Sequence, residues 1–179
     1  MEPHDSEDKA LRANAERIVG TLRAAGHEAY FAGGCVRDLV MGAAPHDYDV
    51  TTSARPDEVM ALFERTVAVG AAFGVVLVIL GGREYEVATF RTEGAYSDGR
   101  HPDAVAYATA EEDVKRRDFT INGLLYDPVE ERVIDHVSGR ADIERRIVRT
   151  IGSPDERFAE DRLRLIRAVR FAARLGFEI

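Results

Sequence analysis

Asp47 and Asp49 flank Tyr48, a short distance after the pair Gly33-Gly34 and the dipeptide Arg37-Asp38. On an extended strand, residues i and i+2 point to one face, so this spacing predicts two carboxylates presented together. A glycine pair after an apolar segment lets backbone N–H groups come close to an anion. Carboxylates for a divalent cation beside an anion-binding turn point to phosphoryl chemistry. Taken alone, Asp47 and Asp49 could equally be turn residues after Pro45. Glu86 adds a third carboxylate on a separate predicted strand, where an acid beside a strongly apolar neighbour is unusual without a role. Three converging carboxylates cannot all ionise without a cation, and Mg²⁺ suits an all-oxygen site that shares ligands with substrate phosphates. The glycine pair matches neither the Gly-x-Gly-x-x-Gly pattern nor a P-loop, and the acids lack the spacing of an EF-hand.

Two further clusters carry polar chemistry. Arg116-Arg117-Asp118-Phe119-Thr120-Ile121-Asn122 packs two cations, an acid and an amide into one short stretch. It reads either as a solvated helix end or as a site with Arg117 on a phosphate and Asn122 on a sugar hydroxyl. Arg37 has the same two readings: a partner for Asp38, or a planar guanidinium for a triphosphate. Glu160-Asp161-Arg162-Leu163-Arg164 places Asp161 and Arg164 three residues apart, which predicts an intrahelical ion pair. The same pair could present a donor and an acceptor to the edge of a base. Arg164, Arg167, Arg170 and Arg174 recur at helical spacing, as on a solvated face.

These groups need elements to hold them. Hydrophobic spacing predicts a helix over residues 6–25, a strand over 28–32 leading into the glycine pair, and a short helix over 35–41. A strand over 47–51 carries both aspartates, and a helix follows from Pro56 to about 64. Strands are expected over 66–69, 75–80 and 84–90; the continuous apolar run 75–80 predicts a strand buried on both faces. Residues 92–104 read as a mobile polar loop, 105–107 as a short strand and 109–117 as a helix. A hairpin over 122–126 and 132–137, a helix over 139–146 and a strand over 147–151 come next. From Asp155 the pattern predicts one long helix with an apolar stripe of Leu163, Ile166, Val169 and Ala172 or Ala173. Strands giving way to helix indicate an α+β fold, with a head over residues 1–152 and the first helix of a helical segment over 153–179.

Composition bounds the function class. The 179 residues hold enough apolar content, 45%, for a core, and the charge is −8. Residues 140–179 carry ten Arg against seven acids, or +3, which leaves −11 on the first 139. An acidic half suits metal and a basic segment suits phosphates or bases. Cys35 is the single cysteine, so neither an intrachain disulfide nor a cysteine metal cluster can form. No apolar run is long enough to span a bilayer and the N-terminus is acidic, so a cytoplasmic location is expected.

The ordered set Gly-Gly-x-Val-Arg-Asp with Asp-x-Asp, then Arg-Arg-Asp-Phe-Thr-Ile-Asn, then Glu-Asp-x-x-Arg resembles the class II tRNA nucleotidyltransferases, or CCA-adding enzymes, and the related bacterial poly(A) polymerases. The stretch 133–152 looks like that family's connector between head and neck. The resemblance implies a DNA polymerase beta-like head, a mixed sheet flanked by helices, followed by an all-helical neck. It implies two Mg²⁺ ions on Asp47 and Asp49, with Glu86 as the third catalytic carboxylate. It places Gly33, Gly34 and Arg37 on the triphosphate and Arg117 and Asn122 on phosphate and ribose. Asp161 and Arg164 would pair with cytosine or adenine, and Arg167 and Arg170 would line the pocket. The implied partners are CTP, ATP and the tRNA 3′ end. The length of the segment 91–111 resembles that of enzymes able to add C, while CC-only addition, poly(A) synthesis and a non-catalytic binding role remain open. Family members continue past the point reached by Ile179, so a fragment of a longer chain is expected.

Overall fold

In a computed structural model, residues 3–70, 73–94 and 104–179 are described. They divide into two compact units, one of residues 1–90 and 125–134, the other of residues 91–124 and 135–179.

The first unit is built on a seven-stranded mixed sheet. Its strands are β1 (Ala29–Ala32), β2 (Asp49–Thr52), β3 (Thr66–Gly70), β4 (Val75–Leu80), β5 (Arg83–Thr89), β8 (Leu124–Asp127) and β9 (Arg132–Asp135). Their order in space is β3-β4-β5-β2-β1-β8-β9. β2 and β5 pair in parallel, whereas β1–β2, β1–β8, β3–β4 and β4–β5 are antiparallel. Helix α1 (Pro3–Ala24) buries Leu11, Ala15, Ile18, Val19 and Leu22, a stripe at helical spacing. It lies against the face that carries Phe31, Val50, Val76, Val78, Tyr85 and Val87, all buried; the Tyr85 hydroxyl donates to the Leu11 carbonyl at 3.2 Å. Short helices α2 (Gly34–Val40) and α3 (Pro56–Leu62) complete this unit.

Four sequence expectations change here. β4 has the expected bounds, but only Val76 and Val78 are buried; Val75, Leu77 and Ile79 on its other face are half-buried. Its neighbour β3 is the sheet edge. β2 begins at Asp49, so Asp47 lies in the preceding loop rather than on the strand. The expected strand over 147–151 is replaced by two isolated bridges, Phe119 with Thr150 and Ile147 with Glu178. The expected loop over 92–104 is a strand at its start, because β6 (Arg91–Glu93) pairs with β7 (Val105–Tyr107); the rest of that expectation falls on residues 95–103, which lie outside the described residues.

The second unit holds that hairpin, helix α4 (Ala110–Lys115), a 3₁₀ turn (Thr120–Asn122), and helices α5 (Gly139–Arg145), α6 (Pro154–Glu160) and α7 (Leu163–Leu175). Its core includes Val114, Phe119, Ile121, Leu124, Ile143, Val148, Ile151 and Phe171. The expected long helix is broken at Asp161, whose backbone is extended at φ −137 and ψ 106. An aspartate side chain competes for nearby backbone N–H groups and favours such a break: Asp161 Oδ1 accepts from Leu163 N at 2.9 Å and starts α7 afresh. The face of α7 also differs. Ala168 and Phe171 are buried, while Leu163, Ile166 and Val169 are 42%, 68% and 61% exposed.

Gly139 opens α5 against the 3₁₀ turn. A Cβ built there would lie 2.2 Å from the Thr120 carbonyl oxygen, so only glycine allows that approach. Gly20, exposed within α1, has nothing within 4 Å of such a Cβ. Gly139→Ala should therefore destabilise the protein by about 1–3 kcal/mol through overpacking. Gly20→Ala should stabilise it by about 0.5–1 kcal/mol through helix propensity. Urea denaturation of the two variants checks both signs.

Candidate active site

The carboxylates of the first unit are set by strand register. Val50 of β2 pairs with Val87 of β5, and both are buried against α1. Side chains alternate along a strand, so the residues just before them, Asp49 and Glu86, stand abreast on the opposite face. Both are exposed, as is Asp47 two residues earlier. The sequence expected three carboxylates converging. Among the described residues no group of three or more His, Cys, Asp or Glu side chains is close enough to hold a metal together. Asp47 sits outside the ladder, so register holds only Asp49 and Glu86 side by side. This donor set still fits a hard cation such as Mg²⁺, which commonly takes one or two carboxylates and completes its shell with water and phosphate oxygens.

The glycine turn adjoins these acids. Ala32, the last residue of β1, pairs with Asp49. Gly33 follows with φ +75, a left-handed conformation that costs glycine nothing, and caps α2. Cys35 is buried in the first turn, and its thiol donates to the Ala32 carbonyl at 3.2 Å. Burial, and then the charges of Asp49 and Asp47, push this thiol up to about 12, so it stays neutral and the acids impose a negative field on the turn. Arg37 is 3% exposed and pairs with Asp38 Oδ1 through Nε at 2.9 Å and Nη2 at 2.7 Å. Its guanidinium lies under the turn, 3.6 Å from where a Gly34 Cβ would stand. The simpler of the two sequence readings of Arg37, a partner for Asp38, is thus the contact seen.

In the second unit, Asp113 organises the arginines. It is buried in α4 and accepts from Arg116 Nε and Nη2 at 3.0 and 2.8 Å, from Arg117 Nη2 at 2.9 Å, and from the Arg91 backbone N–H at 3.2 Å. Arg116 Nη1 also meets Glu93 Oε1 at 2.7 Å, and Arg91 meets the same oxygen at 3.2 Å. Burial raises the Asp113 pKa, but Arg117 and Arg116 overrule it and the net shift is downward. Arg157 donates to the backbone carbonyls of Arg116 and Arg117. Sequence reasoning missed Asp113, although its spacing of three and four residues before Arg116 and Arg117 is that of helix-surface ion pairs.

Asp118 is the second organiser. Its Oδ1 accepts from Phe119 N at 2.8 Å and from Asn122 Nδ2 at 3.4 Å. Its Oδ2 accepts from both Arg167 Nε at 2.7 Å and Nη2 at 2.6 Å. The expected Asp161–Arg164 ion pair is not formed. Arg164 is buried and donates to Glu160 Oε2 at 2.6 Å and to the Arg157 carbonyl at 2.9 Å. Glu160 and Arg164 lie on either side of the break at Asp161, whose own carboxylate is turned to the Leu163 N–H. Arg167 and Arg170 both lie over the Phe171 ring, at 5.4 and 5.9 Å.

The first unit is thus a mixed sheet with two acids abreast beside a glycine turn. The family described as the poly A polymerase head domain matches residues 29–149, and the chain belongs to that family. Among curated relatives, the CCA-adding enzyme of Lactiplantibacillus plantarum is 52% identical over 166 residues, covering 92% of this chain and 40% of the relative. That of Geobacillus kaustophilus is 51% identical, covering 90% and 40%. The chain thus spans about two fifths of the length of the curated relatives it matches. The Bacillus stearothermophilus CCA-adding enzyme in complex with CTP superposes with a TM-score of 0.86 at 43% identity, over 99% of this chain and 41% of that one. A tRNA nucleotidyltransferase complexed with a primer tRNA and an incoming ATP analog superposes at 0.72 with 27% identity, over 90% and 46%. No helix among the described residues is long and apolar enough to cross a membrane.

Because the Asp113 carboxyl is held below its ordinary value, it favours the folded state above about pH 4 and loses that effect as pH falls through the depressed value. Asp113→Asn should cost about 3 kcal/mol at pH 7 by leaving two guanidiniums short of charge. Urea unfolding at pH 7 and at pH 3 should show the gap between variant and parent shrinking at the lower pH.

Proposed function

We propose that this chain is the catalytic head, with the start of the helical neck, of a template-independent RNA nucleotidyltransferase. It adds C and A from CTP and ATP to the 3′ end of tRNA. The observation that carries this reading is the row of Asp49 and Glu86 beside the Gly33-Gly34 turn, in a chain about 50% identical to CCA-adding enzymes over most of its length. The functional division follows the family: a head over residues 1–152 and neck helices from 153. A cytoplasmic setting belongs to the same reading.

Asp47 and Asp49 would hold two Mg²⁺ ions, with Glu86 completing the acidic set. When bound, these ions lower the pKa of the attacking hydroxyl and neutralise charge on the leaving pyrophosphate. The chain's own groups bind and orient. Gly33 and Gly34 offer backbone N–H groups to the triphosphate, and Arg37, packed beneath them, adds positive charge. Arg117 contacts phosphate, and Asn122, anchored by Asp118, contacts the ribose. Asp161 and Arg164 present acceptor and donor to the base, so that protein rather than nucleic acid selects C or A. Arg167 and Arg170 line the same pocket wall. The acceptor 3′-hydroxyl attacks the α-phosphorus, a new phosphodiester forms, and pyrophosphate departs with the electron pair of the broken P–O bond.

The test uses tRNA lacking its terminal CCA, Mg²⁺ and labelled CTP or ATP. Addition of two C and one A is expected; a product ending at CC would instead favour a CC-only enzyme, and a long A tail a poly(A) polymerase. Asp49→Ala should lower incorporation at least about a thousandfold, several kcal/mol of lost transition-state stabilisation. Retained activity in that variant would sink the metal assignment. Asp161→Asn keeps a side chain able to cap α7 but alters the acceptor pattern offered to the base. Its expected effect is loss of preference for CTP and ATP over UTP and GTP, read by single-turnover incorporation, with unfolding unchanged.

A further inference from the structure

The row that holds the carboxylates does not stop at Glu86. Glu86 pairs with Leu77 of β4, and Leu77 pairs with Val67 of β3. Cross-strand partners share a face. From one edge inward, the row therefore reads Val67, Leu77, Glu86, Asp49, Ala32, and the glycine turn follows Ala32. Val67 is 44% exposed; Leu77 and its face-mate Ile79 are half-buried. The other face of the same strands buries Val76, Val78, Tyr85 and Val87. An open apolar strip thus leads away from the acids on the side opposite the glycine turn.

In-line transfer gives this asymmetry a meaning. The attacking and leaving oxygens lie on opposite sides of the reacting phosphorus. If the glycine turn holds the triphosphate, pyrophosphate leaves towards β1. The attacking 3′-hydroxyl must then arrive from the β5 side, over Glu86, and the RNA behind it must lie over Leu77 and Val67. Adjacent strands are about 4.8 Å apart, so Val67 stands about 10 Å from Glu86, within reach of the terminal nucleosides. Arg65 lies beyond. Its carbonyl accepts from Ile79 N at 2.9 Å, which sets it abreast of Ile79, and its position two residues before Val67 puts it on the same face. Arg65 is exposed and makes no ion pair with another described residue. Glu84 of β5, paired with Ile79, disfavours phosphate at its own end of this row, which leaves Arg65 at the other end as the phosphate contact.

We propose that the Leu77–Val67 strip is the platform for the 3′-terminal nucleosides of the RNA acceptor. Base faces rest on the two aliphatic side chains, and Arg65 meets a phosphate. This inference rests on the nucleotidyltransferase reading of Asp49 and Glu86.

Photo-crosslinking of the full 179-residue chain tests it. The probe is an acceptor-stem RNA hairpin with 4-thiouridine as its 3′-terminal base. The crosslink is expected in peptides covering residues 66–70 and 75–80. It should fall about tenfold in Val67→Asp and persist in Val67→Phe, which keeps an apolar platform at an exposed edge position. Mg²⁺-dependent CTP binding, measured by calorimetry, should be unchanged in both. A crosslink confined to other peptides, no crosslink, or one insensitive to Val67→Asp would overturn the platform. So would a Val67-dependent dimer in sedimentation, which would make the strip a contact between copies. Asp49→Ala separates the two readings. Loss of Mg²⁺-dependent CTP binding with the crosslink retained supports both, whereas CTP binding that survives Asp49→Ala removes the carboxylate reading whatever the crosslink shows.

Discussion

The parallel pairing of β2 with β5 is the constraint on which the first unit depends. Val50 and Val87 are 1% exposed, and their burial against α1 fixes which residues point the other way. A slip of one residue would bury Asp49 and Glu86 and expose two valines, so the hydrophobic effect itself enforces the acidic row. The same register carries Ala32 and the left-handed Gly33 to one side of the acids and an apolar strip to the other. Cys35 senses the arrangement: its thiol is pushed up by burial and by the two aspartates together.

The second unit is organised by charge rather than by register. Asp113 is fully buried and binds three arginines' worth of donors, and Asp118 ties the 3₁₀ turn to Arg167. A buried, paired carboxylate such as Asp113 is costly to leave unpaired, so it fixes the directions of Arg116 and Arg117 as firmly as packing fixes an aliphatic side chain. Asp142 plays the same part for Thr120 and Arg149, accepting from them at 2.7 and 3.1 Å.

Much of this was legible in the sequence where local signals decide structure. The apolar run 75–80 and the short strand 105–107 have the bounds that periodicity predicts. The stripe of α1 is buried as its spacing requires. Sequence reading failed where partners are distant. The segment 147–151 has strand-like residues but reaches two separate places, Phe119 and Glu178, and so forms bridges. Asp161 was read as part of a helix because its competition for the Leu163 N–H is a local alternative that periodicity does not weigh. Arg164 meets Glu160 across that break. The half-buried side of β4 departs from expectation because a run of six apolar residues looks alike in a central strand and in one beside an edge.

The account stands most directly on where a divalent ion sits. Crystals grown with Mn²⁺ and a non-hydrolysable CTP analogue would locate it by anomalous scattering. The account predicts Mn²⁺ within about 2.2 Å of carboxylate oxygens of Asp47 and Asp49, sharing phosphate oxygens of the analogue. Mn²⁺ bound elsewhere, or a triphosphate seated away from the Gly33-Gly34 turn, would contradict it.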